Sequence, residues 1–308
     1  MKHYSVLLDE SIEGLNIKED GIYVDATLGY GGHSSVILSK LKNGHLYSFD
    51  QDEEAIKFSE ERLSKISNNY TIIYSNFANL KEKLLEHGVE KVDGILFDLG
   101  LSSPQIDDSS RGFTFMNDAP LDMRMDLSNK LNAAIVVNTY SIEELTNIFY
   151  LYGEEKMSRI IAKKIVSERM NKDIKTTKEL VSIIASAVGA KYFNKFHPER
   201  QIFQAIRIEV NSELKVLESV LPDAIDILNK NGRISVITFH SLEDRIVKKI
   251  FKKESEVDDL VKGLPVIPKE YEPRIRLVNK KPILPSEKEL KENSRSKSAK
   301  LRIVEKVW

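Results

Sequence analysis

The chain of 308 residues contains no cysteine, which excludes disulfide bridges and cysteine-ligated zinc and suits a cytoplasmic enzyme. It also lacks any apolar run approaching the roughly 18 residues of a membrane span. Its first residues, Met-Lys-His-Tyr-Ser, have no signal-peptide core, so neither a membrane segment nor a secretory leader is expected. Neither sign of charge dominates: the formal net charge is −1, so any nucleic-acid site must be a local basic patch. No internal repeat is visible. What is present suffices for a full core. Hydrophobic residues make up 41% and charged ones 30%, which argues against disorder, and the length suits one large or two modest domains.

The stretch from Ile22 to Ser34 organises the rest. Its first half is short, β-branched and apolar, as a buried strand should be. Gly29, Gly31 and Gly32 follow within four positions, and a helical pattern begins at once with Val36, Ile37, Leu38 and Leu41. Strand, glycine-rich turn and helix open a nucleotide-binding βαβ unit, in which glycines let the backbone approach a ligand and the helix N-terminus offers free N–H groups. The next apolar run ends in Asp50, 21 residues after Gly29, where a carboxylate suits two ribose hydroxyls. The alternative is a structural βαβ turn with incidental glycines and a solvated Asp50. Ser34 fills the third slot of the dinucleotide fingerprint, which normally holds Gly or Ala. Asp25, beside the turn, would repel a pyrophosphate and attract an ammonium or a sulfonium. Together Asp25 and Asp50 favour S-adenosylmethionine over NAD, with a hydrogen-bonded turn residue as the plain reading of Asp25.

Along the chain, Val6 to Leu15 reads as part of a lead-in from His3 with a short helix, and Asn43-Gly44 stops the helix after the glycine turn. Asp52 can cap a helix from Glu53 to Ile66. Tyr70 to Tyr74 and Val92 to Asp98 read as the third and fourth strands, with a helix between them closed by Gly88. Four strands with intervening helices imply a parallel, doubly wound α/β sheet. The alternation then breaks. Residues 107–211 show no convincing strands and three amphipathic helical patterns, one opened by the capping box Thr176 to Glu179. The expected division is a discontinuous sheet domain, residues 1–106 and 212–308, interrupted by a helical insertion over 107–211. After it, a helix from Leu214 to Leu228 ends at Asn231-Gly232, a strand runs from Arg233 to His240, and Ser241 caps the next helix. Arg274 to Val278 and Ala299 to Val304 are expected as two late strands that finish the sheet antiparallel.

In an open α/β sheet the ligand lies beyond the strand C-termini, at the switch in strand order. That collects Gly29 to His33, Asp50, Phe77, Asp98 and His240. Methyl transfer needs alignment of nucleophile, methyl and sulfur and exclusion of water. An exocyclic base amine needs no strong base beforehand, only acceptors that orient it and stabilise charge developing on nitrogen. Asp98, Ser102 and Ser103 could serve, with His240 as a further candidate. Phe113, Phe115 and Phe239 could stack on an unstacked base. The plain readings are a turn at Ser102 to Pro104, a capping His240 and core-packed aromatics. A basic face after His240 (Arg245, Lys248, Lys249, Lys252, Lys253) and the tail residues Arg295, Lys297, Lys300 and Arg302 could meet phosphates, or simply be solvated. Pro120 to Asp126 has no metal-ligand spacing, and no metal is expected.

Several motifs occur together: Val6-Leu7-Leu8 with Glu10; Asp25, Thr27, Gly29, Gly31, Gly32, His33 and Ser34; Asp98 to Gln105; Arg111, Gly112, Phe113 and Phe115; Pro120 to Asp126; Phe203 to Asn211; and Phe239 to Arg245. Over essentially the whole chain this set resembles the bacterial 16S ribosomal RNA cytosine-N4 methyltransferase family (RsmH, also called MraW). The resemblance implies a class I S-adenosylmethionine-dependent methyltransferase fold, Rossmann-like and doubly wound, with a helical insertion that helps hold RNA. It implies methyl transfer to N4 of a cytidine in 16S ribosomal RNA near the decoding centre, within the small ribosomal subunit, in the cytoplasm. It leaves a homodimer open. It implies a cofactor set of Gly31, Gly32, His33, Asp50, Phe77, Asp98 and Gln105. Gln201-Ile202 stands where the family more often shows Arg-Thr, and Ser294 replaces a usual proline before Arg295. The amine-methylating Asp/Asn-Pro-Pro-aromatic motif of other enzymes is absent, so Asp98 is not assigned as its equivalent. A DNA or small-molecule methyltransferase would share the sheet. A non-catalytic RNA-binding assembly factor is the rival from another class, and intact Asp50 and Asp98 argue against it.

Overall fold

The computed structural model describes residues 5–308, apart from the side chains of Ser103, Pro104 and Asp259; His3, where the expected lead-in begins, lies outside the described residues. The chain forms two compact units, residues 1–100 with 214–308, and residues 101–213. The first opens with α1 (Leu8–Leu15) and then alternates through β1 (Ile22–Asp25), α2 (Gly32–Ser39), β2 (His45–Asp50), α3 (Glu53–Leu63), β3 (Tyr70–Tyr74), α4 (Leu80–Glu86) and β4 (Val92–Asp98). Next come α5 (Ser103–Asp107), α6 (Ala133–Thr139), α7 (Ile142–Leu151), α8 (Ser158–Arg169), α9 (Thr177–Val188), α10 (Ala190–Phe196) and α11 (Pro198–Asn211). The sheet unit resumes with α12 (Glu213–Asp226), β5 (Leu228–Thr238), α13 (Ser241–Ser255), β6 (Ile275–Leu277), α14 (Glu287–Glu292) and β7 (Lys300–Lys306).

The seven strands lie in the order β3-β2-β1-β4-β5-β7-β6. Strands β1 to β5 pair in parallel, and β7 is antiparallel to both β5 and β6. This is a Rossmann-like, doubly wound α/β sheet with the expected antiparallel finish. Its central strands are apolar on both faces because helices cover both. Tyr23, Val24, Ile95, Leu96, Phe97, Val236 and Ile237 are all buried. Gly94 is required by packing, since a Cβ there would stand 2.8 Å from the Tyr23 ring. Strand order reverses between β1 and β4, so the crevice opens beyond Asp25 and Asp98.

Local signals explain most boundaries. Asp52 accepts the Glu54 N–H at 3.1 Å and starts α3, and Thr176 and Glu179 close a reciprocal capping box on α9. Two expectations fail. The helix read as far as Leu228 ends at Asp226, and Leu228 pairs with Val92 at the head of β5. Cations hold that end: Lys91 Nζ donates to Asp226 O at 2.7 Å and Lys306 Nζ to Ile225 O at 3.0 Å. The turn at Asn231 and Gly232 is absorbed as an irregularity of register between Val92 and Gly94. Nor does Ser241 cap α13; His240 does, accepting the Glu243 N–H, while Glu243 Oε2 accepts the backbone N–H groups of Phe239 and His240.

The helical unit has its own core. Leu145, Phe149, Ile161, Ile165, Leu180, Ile184, Ile202 and Ile206 are fully buried within it. The helix α11 was not read from the sequence, although Pro198 at its first position and the apolar run from Ile202 to Val210 were available signals. Asn211, at its end, accepts the Met125 N–H and donates to Met123 O, both at 2.8 Å, and so ties down the Pro120 to Asp126 motif. In that motif Arg124 grips Asp122 at 2.7 Å and the carbonyls of Leu127 and Asn129. These contacts make it a hydrogen-bonded loop.

Phe97 is fully buried in the central strand of the sheet unit. Phe97→Ala should cost about 3–5 kcal/mol, read as a lower urea midpoint with an unchanged m-value. A loss under about 1 kcal/mol would show that the centre of the sheet repacks freely.

Candidate cofactor and active site

Asp25 closes β1 and is buried. Its Oδ1 accepts the Thr27 N–H at 3.1 Å and its Oδ2 the Ser34 hydroxyl at 2.7 Å. Both oxygens therefore serve the turn, which is the plain reading of Asp25. Burial raises its pKa despite these bonds. The Thr27 hydroxyl in turn accepts the Asp98 N–H at 2.7 Å, which fastens the tip of β4 to the turn. Gly31 adopts φ +70° as the residue before α2, a left-handed conformation that glycine takes without strain.

Asp50 ends β2 and reaches back to the turn. Oδ2 accepts the Gly29 N–H at 2.8 Å and Oδ1 the Asp52 N–H at 2.9 Å. The Gln51 N–H also bears on the carboxylate, which with about four lone-pair sites keeps room for a further donor. Burial pushes the carboxyl up to about 6, partly opposed by those N–H groups. Below the turn, Ser59 donates to Gly29 O at 2.8 Å and Arg62 to Tyr30 O at 3.1 Å, so α3 holds the glycine segment from the other side.

His33 and Asp98 face each other, Nδ1 to Oδ2 at 3.5 Å. Burial pushes the imidazole down to about 4, against the opposing effect of the Val6 backbone. Burial, with the charges of Asp25 and Glu243, raises Asp98 well above the usual carboxylate range. Asp98 Oδ1 is a buried polar atom with no partner at hydrogen-bonding geometry, and His33 Nε2 has only the Val6 backbone beside it. Such atoms are costly unless a ligand completes them. Phe77 follows β3 behind Asn76, which caps the Phe77–Asn79 turn, and its ring meets Phe97 edge-on at 5.8 Å. The tips of β1, β2, β3 and β4 thus carry a glycine turn, a carboxylate, an aromatic ring and a carboxylate–imidazole pair. Ribose hydroxyls, an adenine face and a polar cationic tail fit that set.

The remaining expected residues have structural roles of their own. His240 caps α13, with Nε2 3.0 Å from Glu243 Oε1. In the helical unit, Gln105 Oε1 accepts the Ser102 N–H at 3.1 Å and Ser102 Oγ the Gln105 N–H at 3.4 Å, a reciprocal turn. The Ser103 side chain lies outside the described residues. Phe115 meets Phe203 edge-on at 5.2 Å and Phe113 packs on the same core, while Phe239 packs against the cluster around Val6 and Leu301. Arg245, Lys248, Lys249, Lys252 and Lys253 are exposed along α13. Of the tail residues, Arg302 and Lys300 are bound to Asp244, at 2.7 and 3.3 Å. No helix among the described residues is long and apolar enough to cross a membrane.

A doubly wound sheet with an antiparallel β7, a glycine turn after β1 and a carboxylate at the tip of β2 is the class I S-adenosylmethionine-dependent methyltransferase fold. Residues 1–307 match the MraW methylase family, and the chain belongs to that family. Among solved structures it is similar to an rRNA methylase from Streptococcus thermophilus, at 13% identity and a TM-score of 0.43, over 100% of this chain and 99% of that one. A candidate rRNA methylase from Clostridium thermocellum has 12% identity and a TM-score of 0.46 over 100% of both chains. A candidate methyltransferase from Streptococcus mutans, solved in complex with SAH, has 13% identity and a TM-score of 0.45 over 99% of this chain and 100% of that one.

The buried pair has a measurable signature. With a native pKa of about 4 against the ordinary 6.5, His33 takes up a proton in the unfolded chain before it does so in the fold. Stability is therefore lost as pH falls from 6.5 toward 4, by about 3 kcal/mol in all. Asp50, held at about 6 against 3.8, acts in the opposite sense, because the native state takes up its proton first. His33→Gln should lose less stability than the unaltered protein between pH 6.5 and 4 in urea titrations. Equal losses would mean that His33 titrates with an ordinary pKa.

Proposed function

We propose that the protein transfers the methyl group of S-adenosylmethionine to N4 of a cytidine in 16S ribosomal RNA, near the decoding centre of the small subunit, in the cytoplasm. Membership of a methylase family along residues 1–307 carries the reaction class, and the motif resemblance supports the ribosomal substrate and the amine position. The cofactor supplies an electrophilic methyl on a sulfonium. Gly31, Gly32, His33, Asp50, Phe77 and Asp98 hold it in this reading, and Gln105, in the helical unit, enters on resemblance alone.

The residues divide the work by their chemistry. Asp50 has lone pairs open beside two backbone donors and accepts the ribose hydroxyls. Phe77 offers a ring face beside the base. Asp98, with an unpartnered Oδ1 at the strand tip, accepts from a cationic or polar group of the reacting pair. Neutral His33 orients Asp98 through Nδ1 without adding a charge that would repel the sulfonium. Ser102 and Ser103, in the helical unit, enter as candidate acceptors for the target amine on the sequence reading alone. For His240, its capping bonds favour a positioning role over proton transfer. A paired cytosine hides its amine in the stack, so the substrate nucleotide must be unpaired or flipped. The exposed cations of α13 suit RNA phosphates.

Asp50→Ala should weaken S-adenosylmethionine binding at least about tenfold, or roughly 1.4 kcal/mol, by calorimetry. Ribose donors need the ionised carboxylate. Affinity should therefore fall below the native pKa of about 6, to about a tenth at pH 5, and this dependence should vanish in the variant. Unchanged affinity in a folded Asp50→Ala protein removes Asp50 from the site. For the product, nucleosides from small subunits of a deletion strain are analysed by mass spectrometry before and after incubation with protein and cofactor. N4-methylcytidine is expected; 5-methylcytidine, or methylation of DNA alone, would sink the reading.

A further inference from the structure

The motif Val6-Leu7-Leu8 was matched in the sequence without a role. In the fold its start lies beside the glycine turn. Leu7 stands before α1 at φ +50° and ψ +38°, a left-handed conformation that a leucine rarely adopts. It is nevertheless fully buried, in a cluster with Val6, Ile237, Leu301 and Ile303. Its carbonyl accepts the Ser11 N–H at 2.9 Å in the first turn of α1. Its N–H points the other way, and Glu289 Oε1, on α14 near the far end of the chain, accepts it at 2.9 Å. Ser286 caps α14 by accepting the Glu289 N–H at 3.2 Å, which fixes the helix turn that presents Glu289.

Upstream of this bend, Ser5 and Val6 reach the glycine turn. Ser5 Oγ packs so closely on Gly32 that a Cβ there would overlap it. The Val6 backbone lies beside the His33 imidazole, near enough to oppose the effect of burial on it. Two residues of the expected cofactor set, Gly32 and His33, therefore touch one short segment whose backbone is held by one distant carboxylate. Asp9 and Glu10 lie close enough to Glu289 to repel its charge, so its position is not explained by the field around it.

We propose that Ser5 to Leu7 forms one wall of the cofactor site and that Glu289 is the positioning residue that holds it there. The proposal rests on the S-adenosylmethionine reading of the site. Glu289 touches no reacting atom; it acts by accepting the Leu7 N–H. A glutamine there keeps an accepting oxygen and loses only the charge, whereas an alanine releases the N–H.

The test is calorimetric titration of S-adenosylmethionine into the full chain and the variants Glu289→Gln, Glu289→Ala and Ser5→Val, with melting temperatures measured on each. Glu289→Ala should bind about five- to tenfold more weakly, the scale of one hydrogen bond to a charged group. Glu289→Gln should stay within about twofold of the unaltered protein. Ser5→Val, which crowds Gly32 and leaves the Glu289 contact intact, should also lose at least about fivefold, and it decides the matter if Glu289→Ala does not fold. A purely structural role would lower the melting temperature of Glu289→Ala and leave the affinity of the folded protein unchanged, overturning the proposal. So would equal losses in the glutamine and alanine variants, or unchanged affinity in Ser5→Val. Failure of the unaltered protein to bind S-adenosylmethionine would instead overturn the cofactor reading, and this proposal with it.

Discussion

A buried carboxylate holds the site together. Asp25 binds the Thr27 N–H and the Ser34 hydroxyl, and the Thr27 hydroxyl then accepts the Asp98 N–H. One short chain of bonds therefore fixes the turn after β1, the first turn of α2 and the tip of β4. These are the edges of the crevice at the switch in strand order. A charge buried there is expensive unless its bonds are made, so the turn has little freedom to relax. Ser34 fits the fingerprint position here, because glycine or alanine would remove the hydroxyl that donates to Asp25 Oδ2.

Three carboxylates, Asp25, Asp50 and Asp98, end adjacent parallel strands and all have raised pKa values. The parallel arrangement brings them to the same edge, and burial there is the main cause of the raised values. The fold accepts the cost of gathering acceptors where a donor-rich, cationic ligand would be bound. Asp50 and Asp98 differ in what they have left to offer. Asp50 already receives two backbone N–H groups, whereas Asp98 keeps an oxygen with no partner beside a neutral His33. Burial alone lowers the His33 pKa, so that the pair carries little positive charge.

The helical unit solves a different problem. Its helices bury a core of their own, and its long loop is stabilised by side chains acting as backbone partners: Asn211 for Met123 and Met125, Arg111 for Arg124 and Met125, and Arg124 for Leu127 and Asn129. A run rich in Asp, Met and Asn thereby becomes ordered without regular secondary structure, since its buried polar groups find partners.

Much of this was legible in the residues themselves. Alternating apolar runs located β3 and β4 to the residue, and Asp52 and Thr176 marked helix starts, because strand periodicity and capping are local. The glycine turn and Asp50 were legible because their spacing is that of one βαβ unit. What needed the tertiary structure was whatever depends on partners far along the chain. Leu228 joins a strand because Lys91 and Lys306 close the helix before it, and Asp25 turns inward because Ser34 and Thr27 meet it. His240 caps its helix because Glu243 returns the bond. Leu7 takes a left-handed bend beside Glu289, 282 residues away. Sequence alone determined the strands, the turn and the kind of ligand they suit. Only the packed sheet decided which donors each of these carboxylates meets, because burial and distant partners set that balance.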